Sequence, residues 1–328
     1  MILISLLCIQ IHVLPVAGER FDTLRNTLHP IESPFKGQVY NKDTSRYLSY
    51  YNIDFPADSG QFVFGTMDLA GYKLPVQFYI PKTPRAIVIV LHGYQNHAGT
   101  MKNLITHLVT HNYAVACYDL PGYGLASDVH IKGDFFGEYL KCYTSFVNKC
   151  TELFTYDIYT IGFSMSGGVV AEALITTPGI NIKKAVLAAP LVRSQLWTLS
   201  KMGHFFANPF FKIVPRIFRN DSSDHEFLRF QRSDPLETRV VQADWVRSLF
   251  EYEKRMVSYP ETEVQPKTLI LQGTSDIIVE WKYNLKILTS KIKDVKVTLL
   301  PGANHQLFNE SVEYREKALD AVTTFFEE

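Results

Sequence analysis

The stretch IYTIGFSMSGG, Ile158 to Gly168, decides how the chain is read. An apolar, β-branched run stops at Gly162 and Phe163, a serine follows, and GGVVAEALITT then has the composition of a buried helix. A strand entering a helix through a serine has three readings. Ser164 or Ser166 is an activated nucleophile on a strained turn, or both are ordinary residues of a junction where serine often caps a helix.

The segments on either side repeat the same rhythm. AIVIVLHG (86–93) is a short continuous apolar run, as in a parallel strand buried on both faces. TMKNLITHLVTHN has helical spacing at Met101, Leu104, Ile105 and Leu108. YAVACYDLPGYG reads as strand then turn, 133–153 as helix, and KKAVLAAP as strand. Strand alternating with helix predicts a mostly parallel sheet covered on both faces. Upstream, QFVFGTMD and KLPVQFYIP, joined around Gly71, read as an antiparallel pair, preceded by a polar, Tyr-rich lead-in to about Pro56. The rhythm breaks between Leu191 and Pro266, which are rich in Phe, Trp and Arg. It resumes with TLILQGTSD, a helix near 281–292, VKVTLLPGANH and a last helix from about Ser311. The insertion, 191–266, reads as a helical cap over the sheet edge where ligands of such folds bind, and 19–190 with 267–328 reads as the core.

A serine hydroxyl becomes nucleophilic when a histidine removes its proton and a carboxylate holds that histidine in one tautomer. Three loops past predicted buried strands carry these groups in chain order: Ser164, Asp276 and His305. Taken singly, each has an ordinary reading as helix cap, turn residue or solvated histidine. Together they form the order Ser…Asp…His of one recurrent hydrolase arrangement.

The turn bearing a nucleophile brings strand and helix close together, so residues two before and two after it must be small. Centring on Ser164 gives Gly162 and Ser166; centring on Ser166 gives Ser164 and Gly168. Both fit sterically. Ser164 is the better centre because it keeps glycine on the strand side and puts Gly167 and Gly168 in the first helical turn. The oxyanion needs two backbone N–H donors. Met165, after the nucleophile, and Tyr94, in the loop LHGYQNH, are the candidates, while His92 reads as shaping that loop.

Lys and Arg together number 33, as do Asp and Glu, so nothing indicates a polyanionic partner such as nucleic acid. MILISLLCIQIHVLPVAG has no charged residue before Glu19 and ends in small residues. It reads as an export signal with Val16 and Gly18 before the cleavage point, which predicts an exported protein. A buried apolar N-terminal segment is the alternative and would leave the protein cytoplasmic. Cys142 and Cys150 fall in one predicted helix about 12 Å apart along its axis, too far to bridge. No CxxC or His/Cys cluster suggests a metal.

The segments LHGYQNHAGTMKNL, YDLPGYGLASD, GFSMSGG, SDPLE, LILQGTSDIIV and PGANHQLFNE together resemble the α/β-hydrolase superfamily, in its monoacylglycerol lipase and lysophospholipase branch. The resemblance spans about Phe62 to Phe326 and departs from the branch pattern at Ser166, where glycine is usual. It implies an eight-stranded, mostly parallel sheet with a cap after the sixth strand. It also implies ester hydrolysis through an acyl-enzyme on Ser164, with no cofactor.

Within the cap, HFFANPFFKIVPRIF (204–218) holds five Phe, two Ile and a Val beside Lys212 and Arg216. It is read either as an acyl groove or membrane contact, or as the cap's own core. An aromatic lid favours a small lipophilic ester as substrate. The competing readings are an aminopeptidase of prolyl type, needing a cap carboxylate such as Glu226 or Asp234 for the substrate amine, and a non-catalytic binder of a lipophilic ligand.

Overall fold

The computed structural model describes residues 21–31, 41–53, 55, 59–131, 133–207, 211–262 and 266–328. The export signal expected over Met1–Gly18 lies outside them. After helices α1 (Asp22–Thr27) and α2 (Lys42–Tyr50) comes the hairpin of β1 (Gly60–Leu69) and β2 (Tyr72–Pro81). Its two turn residues, Ala70 and Gly71, both have positive φ, as a tight hairpin turn of matching twist requires. The alternating part then runs β3 (Ile87–Leu91), α3 (Lys102–Thr110), β4 (Ala114–Tyr118), α4 (Phe135–Leu153), β5 (Ile158–Phe163), α5 (Met165–Thr176) and β6 (Lys184–Ala188).

Between β6 and the next sheet strand the chain leaves the sheet. It forms α6 (Trp197–Ala207), β7 (Ile213–Pro215), α7 (His225–Ser233), β8 (Val240–Gln242) and α8 (Ala243–Ser258). It returns through β9 (Lys267–Gly273), α9 (Trp281–Thr289), β10 (Val295–Leu300) and α10 (Val312–Glu327). The main sheet has eight strands in the order β1-β2-β4-β3-β5-β6-β9-β10. Pairing is antiparallel on both sides of β2 and parallel elsewhere.

Side chains of a strand alternate between the two faces of its sheet, and β3 divides its run accordingly. Ile87, Ile89 and Leu91 join Phe146 of α4 and Val170 of α5 in one core. Val88 and Val90 join Leu104 of α3 and Phe325 of α10 in the other. This two-sided burial explains why the central strands read as unbroken apolar runs.

Two regions depart from expectation. The Tyr-rich lead-in is part of the second core: Tyr47 and Tyr51 are fully buried, Tyr47 edge-on to Phe64 with ring centroids 5.3 Å apart. Gln77 donates to the Tyr47 hydroxyl over 3.2 Å, and Tyr51 donates to Asp234 in the cap over 2.8 Å. Buried phenols with such partners carry the area of a core aromatic while looking polar in sequence. In the cap, β7 and β8 form an antiparallel pair that the helical reading omitted. Its strands are only three residues long and mostly exposed, which leaves almost no periodicity to detect.

The described residues of the segment 204–218 do not form the cap's core. Phe205, Phe206 and Ile217 are 72%, 68% and 81% exposed. The cap is anchored through other rings: Tyr252 of α8 stacks on Phe136 of α4 at 4.2 Å, and Trp245 stacks on Tyr94 at 3.6 Å.

Candidate active site

β5 is buried to its last residue, and the chain then turns at Ser164 with φ 54° and ψ −113° before α5 begins. A non-glycine residue there carries about 1–3 kcal/mol of strain, held by its surroundings. Those surroundings are tight. A Cβ on Gly162 would lie 2.5 Å from the Ser166 carbonyl oxygen, and one on Gly167 would lie 2.9 Å from the Gly162 carbonyl oxygen. Both positions therefore require glycine.

The strained turn separates the two serines. Ser164 Oγ lies 2.8 Å from His305 Nε2. Ser166 is fully buried and donates its hydroxyl to the His92 carbonyl over 2.5 Å, away from any base. His305 Nδ1 in turn lies 2.7 Å from Asp276 Oδ2. The three residues that the sequence places in separate loops thus form one hydrogen-bonded chain, with Ser164, Asp276 and His305 all buried.

The acid and base loops are laced to each other. Thr274 and Ser275 donate backbone N–H groups to Leu300 and Ala303, and Gly302 donates to the Thr274 hydroxyl. A Cβ on Gly273 would stand 2.3 Å from the Asn304 carbonyl oxygen, so glycine is needed where β9 passes the histidine loop. Asp276 Oδ1 accepts from the N–H groups of Ile278 and Val279, and Oδ2 also accepts from Gln272 Nε2. Burial favours a neutral carboxyl, but His305 and these donors hold Asp276 below the ordinary carboxylate range. Burial likewise opposes a charged imidazole, yet Asp276 and its hydrogen bond hold His305 above the ordinary histidine value. A histidine and carboxylate so paired can stabilise an imidazolium when a neighbouring hydroxyl gives up its proton.

Met165 opens α5, so its N–H belongs to the first turn, where backbone donors have no intrahelical partner. Tyr94 lines the pocket over Ser164, and a Cβ on Gly93 would lie 3.2 Å from that of Ser164, so the loop passes directly over the nucleophile candidate. His92 is not a base. Its Nε2 accepts from the Leu120 N–H at 3.0 Å, its Nδ1 donates to the Gly93 carbonyl at 2.9 Å, and burial pushes it down to about 3.

The pocket above Ser164 has a volume of about 170 Å³ and opens between the sheet edge and the cap. Phe163, Ile217 and Ile278 supply its apolar wall, and Arg216, Arg219, Asp221, Gln231 and Gln306 a polar one. Neither carboxylate considered for an amine lies there. Glu226 has a side chain 90% exposed on α7, and Asp234 is buried against His97, Tyr51 and the Leu236 N–H. The cap carboxylate in the pocket is Asp221, which the sequence does not single out because it sits in an irregular segment with no period. Its backbone carbonyl accepts the N–H groups of both His305 and Gln306, so this cap segment also fixes the histidine loop.

Residues 82–312 match the model of the family described as serine aminopeptidase, S33. The chain belongs to this family. It is similar to phospholipase YtpA of Bacillus subtilis, 24% identical over 251 residues that cover 74% of this chain and 95% of the relative. It is also similar to the monoacylglycerol lipase of Mycolicibacterium smegmatis, 23% identical over 268 residues covering 78% of this chain and 94% of the relative. A solved structure of a soluble variant of monoglyceride lipase from Saccharomyces cerevisiae, in complex with a substrate analog, superposes with a TM-score of 0.70 at 16% identity. That match covers 84% of this chain and 97% of the yeast chain. The S33 chain is thus an α/β-hydrolase of the lipase and esterase type.

Proposed function

We propose that this chain hydrolyses carboxylic esters of lipophilic acyl groups, with a monoacylglycerol or a lysophospholipid as substrate. Ser164 attacks the ester carbonyl as His305 takes its proton, and Asp276 stabilises the imidazolium. The N–H groups of Tyr94 and Met165 hold the oxyanion. His305 then protonates the leaving alcohol, and in the second half-reaction it activates the water that releases the acid from the acyl-Ser164. The observation that carries this reading is the contact of Ser164 Oγ with His305 Nε2 at 2.8 Å from a backbone at φ 54°. A protein that merely binds a ligand has no use for that strain.

The lipophilic substrate is supported by the cap. Leu199, Met202, Phe205 and Phe206 on α6 are exposed, as are Phe211, Ile213 and Ile217 beyond it, with Lys212 and Arg219 exposed among them. Such a mixed apolar and basic face suits contact with a lipid surface, from which substrate would enter. No helix among the described residues is long and apolar enough to cross a membrane. Export led by Met1–Gly18 belongs to the same reading; N-terminal sequencing of protein recovered outside the cell should begin at Glu19.

The test is an assay of p-nitrophenyl esters of graded acyl length, monoacylglycerol, lysophospholipid and aminoacyl amides, combined with fluorophosphonate labelling. Turnover of the acyl esters and labelling of Ser164 are expected. No labelling and no ester turnover would overturn the reading, and turnover confined to aminoacyl amides would replace it with an aminopeptidase. For the lipid contact, replacing both Phe205 and Phe206 with Ser should lower the fraction co-sedimenting with anionic vesicles about tenfold or more.

A further inference from the structure

A non-glycine residue at positive φ is strained, and such strain persists only where the surroundings hold it. Among the described residues, two of these line the pocket over Ser164: Ser164 itself, and Gln95 at φ 63°. Gln95 is buried in the loop after β3, one residue past Tyr94. The Asn96 N–H donates to the Gly93 carbonyl over 3.2 Å, which closes a turn with Gln95 third of its four residues. Glycine or asparagine ordinarily takes that position when its φ is positive, because a Cβ crowds the backbone there. What holds a glutamine in it comes from the cap. Gln95 Nε2 donates to the Val240 carbonyl of β8 over 2.7 Å. Arg216, the residue after β7, donates to the Gln95 carbonyl over 3.4 Å. The Tyr94 ring stacks on Trp245 of α8 at 3.6 Å. The strained residue of this loop is thus the one that the cap hairpin grips.

We propose that Gln95 is a positioning residue through which the docked cap hairpin of β7 and β8 sets the Tyr94 N–H for the oxyanion. This inference rests on the ester-hydrolase reading and adds how its oxyanion site is assembled. From the core, the Ser166 hydroxyl holds the same loop at the His92 carbonyl. From the cap, the Gln95 amide holds it at the turn. A hairpin lifted off the loop frees that amide, and the backbone relaxes toward negative φ, the ordinary region for a residue with a Cβ. Tyr94 lies in the same four-residue turn, so its N–H is displaced with it. An oxyanion donor works by being fixed before the charge develops, so its displacement costs rate rather than substrate affinity. Docking of the hairpin therefore completes the catalytic site.

The experiment compares wild type, Gln95→Ala and Gln95→Gly on a p-nitrophenyl acyl ester and on the trifluoromethyl ketone bearing the same acyl chain. Ser164 Oγ adds to the ketone carbonyl carbon and its proton passes to His305, so the carbonyl oxygen becomes the anion presented to Tyr94 and Met165. Rates are expressed per fluorophosphonate-labelled Ser164, so that unfolded protein does not enter them. Alanine loses the latch and keeps the Cβ, whereas glycine loses the latch but adopts positive φ freely. Gln95→Ala should lower kcat by about 10- to 100-fold, less than outright removal of an oxyanion donor, with KM little changed. Affinity for the ketone should fall by the same factor, and Gln95→Gly should lie between alanine and wild type in both. An alanine variant as fast as wild type overturns the inference, as does a glycine variant slower than alanine, or a rate loss that leaves ketone affinity unchanged. Should the alanine variant fail to fold, Gln95→Asn takes its place: asparagine tolerates positive φ but is one methylene too short for Val240. It should lose rate and ketone affinity together, and parity with wild type overturns the inference. Wild type that neither turns over an ester nor binds the ketone overturns the hydrolase reading itself. Ketone binding with turnover of amides alone replaces only the substrate, and the Gln95 comparison is then read on the amide.

Discussion

Two buried histidine–aspartate pairs stand within one molecule, and only one of them faces a serine hydroxyl at a pocket. His305 lies 2.7 Å from Asp276, and His97 lies 3.0 Å from Asp234; all four side chains are almost fully removed from solvent. Burial, partner and distance are nearly the same, so none of these assigns a role. The second ring nitrogen does. His97 Nδ1 faces the Gly99 N–H and its Nε2 faces Asp234, so both nitrogens are occupied by fixed groups. His305 Nε2 faces a serine hydroxyl at the wall of a pocket. The carboxylates differ in the same way. Asp234 gathers Tyr51 from the lead-in, His97 from the loop after β3 and its own cap backbone, and so ties three segments together. Asp276 gathers donors from its own loop and strand, leaving the histidine as its one distant partner.

The largest effect that can break this comparison is at the serine. Ser164→Ala removes the group that distinguishes the two histidines and should lower kcat by about a millionfold, with loss of fluorophosphonate labelling. Labelling that survives in this variant would mean that another residue is the nucleophile. Next comes the acid. Asp276→Asn should lower kcat on a p-nitrophenyl ester by about ten-thousandfold. Because Asp276 holds His305 above the ordinary histidine value, its loss lowers that value, so the acid limb of kcat/KM should move to lower pH. Asp234→Asn should leave the limb where it is. A shift of equal size in both variants would erase the distinction drawn between the pairs.

Asp234 should instead reveal itself in stability. Asp234→Ala leaves Tyr51 O–H, His97 N–H and the Leu236 N–H without their acceptor, at a cost of about 3–5 kcal/mol measured by urea unfolding at neutral pH. His97 and the donors around it hold Asp234 below the ordinary carboxylate range despite its burial. Its contribution is therefore present above about pH 4 and is lost as pH falls through the lowered value. The gap between wild type and the alanine variant should close in acid. A gap that widens there would reverse the assignment of charge to this pair.

What could be read beforehand follows from which forces leave a pattern along the chain. The sheet was legible because β3 to β6 are buried on both faces, and unbroken runs such as IVIVL survive in the sequence. Ser164, Asp276 and His305 were legible because each follows a strand and the three fall in a known order. The Tyr51–Asp234–His97 cluster was not legible. Its members come from a lead-in, a cap and a loop, 137 residues separating His97 from Asp234, and their spacing carries no period. Asp221 escaped for the same reason, and Glu226 and Asp234 were weighed in its place only because composition ranks carboxylates without locating them. The aromatic segment 204–218 had two readings because composition cannot tell an exposed phenylalanine from a buried one.

The smallest effect concerns Ser166, the other serine of the opening stretch. Its hydroxyl hydrogen-bonds to the His92 carbonyl, and two residues on stands Tyr94, whose N–H is assigned to the oxyanion. Ser166→Ala leaves that buried carbonyl one donor short, a loss of about 1 kcal/mol, while a methyl group fills most of the space. If the bond positions the oxyanion loop, kcat should fall by tenfold or less, with KM and the stoichiometry of fluorophosphonate labelling unchanged. Ser166→Gly removes the same donor and should fall at least as far, since it adds backbone freedom at the start of α5. A glycine variant as fast as wild type would mean that the hydroxyl merely fills a gap. A fall of several hundredfold would make Ser166 part of the reacting apparatus, and the contrast between the two serines of this turn would then be one of degree.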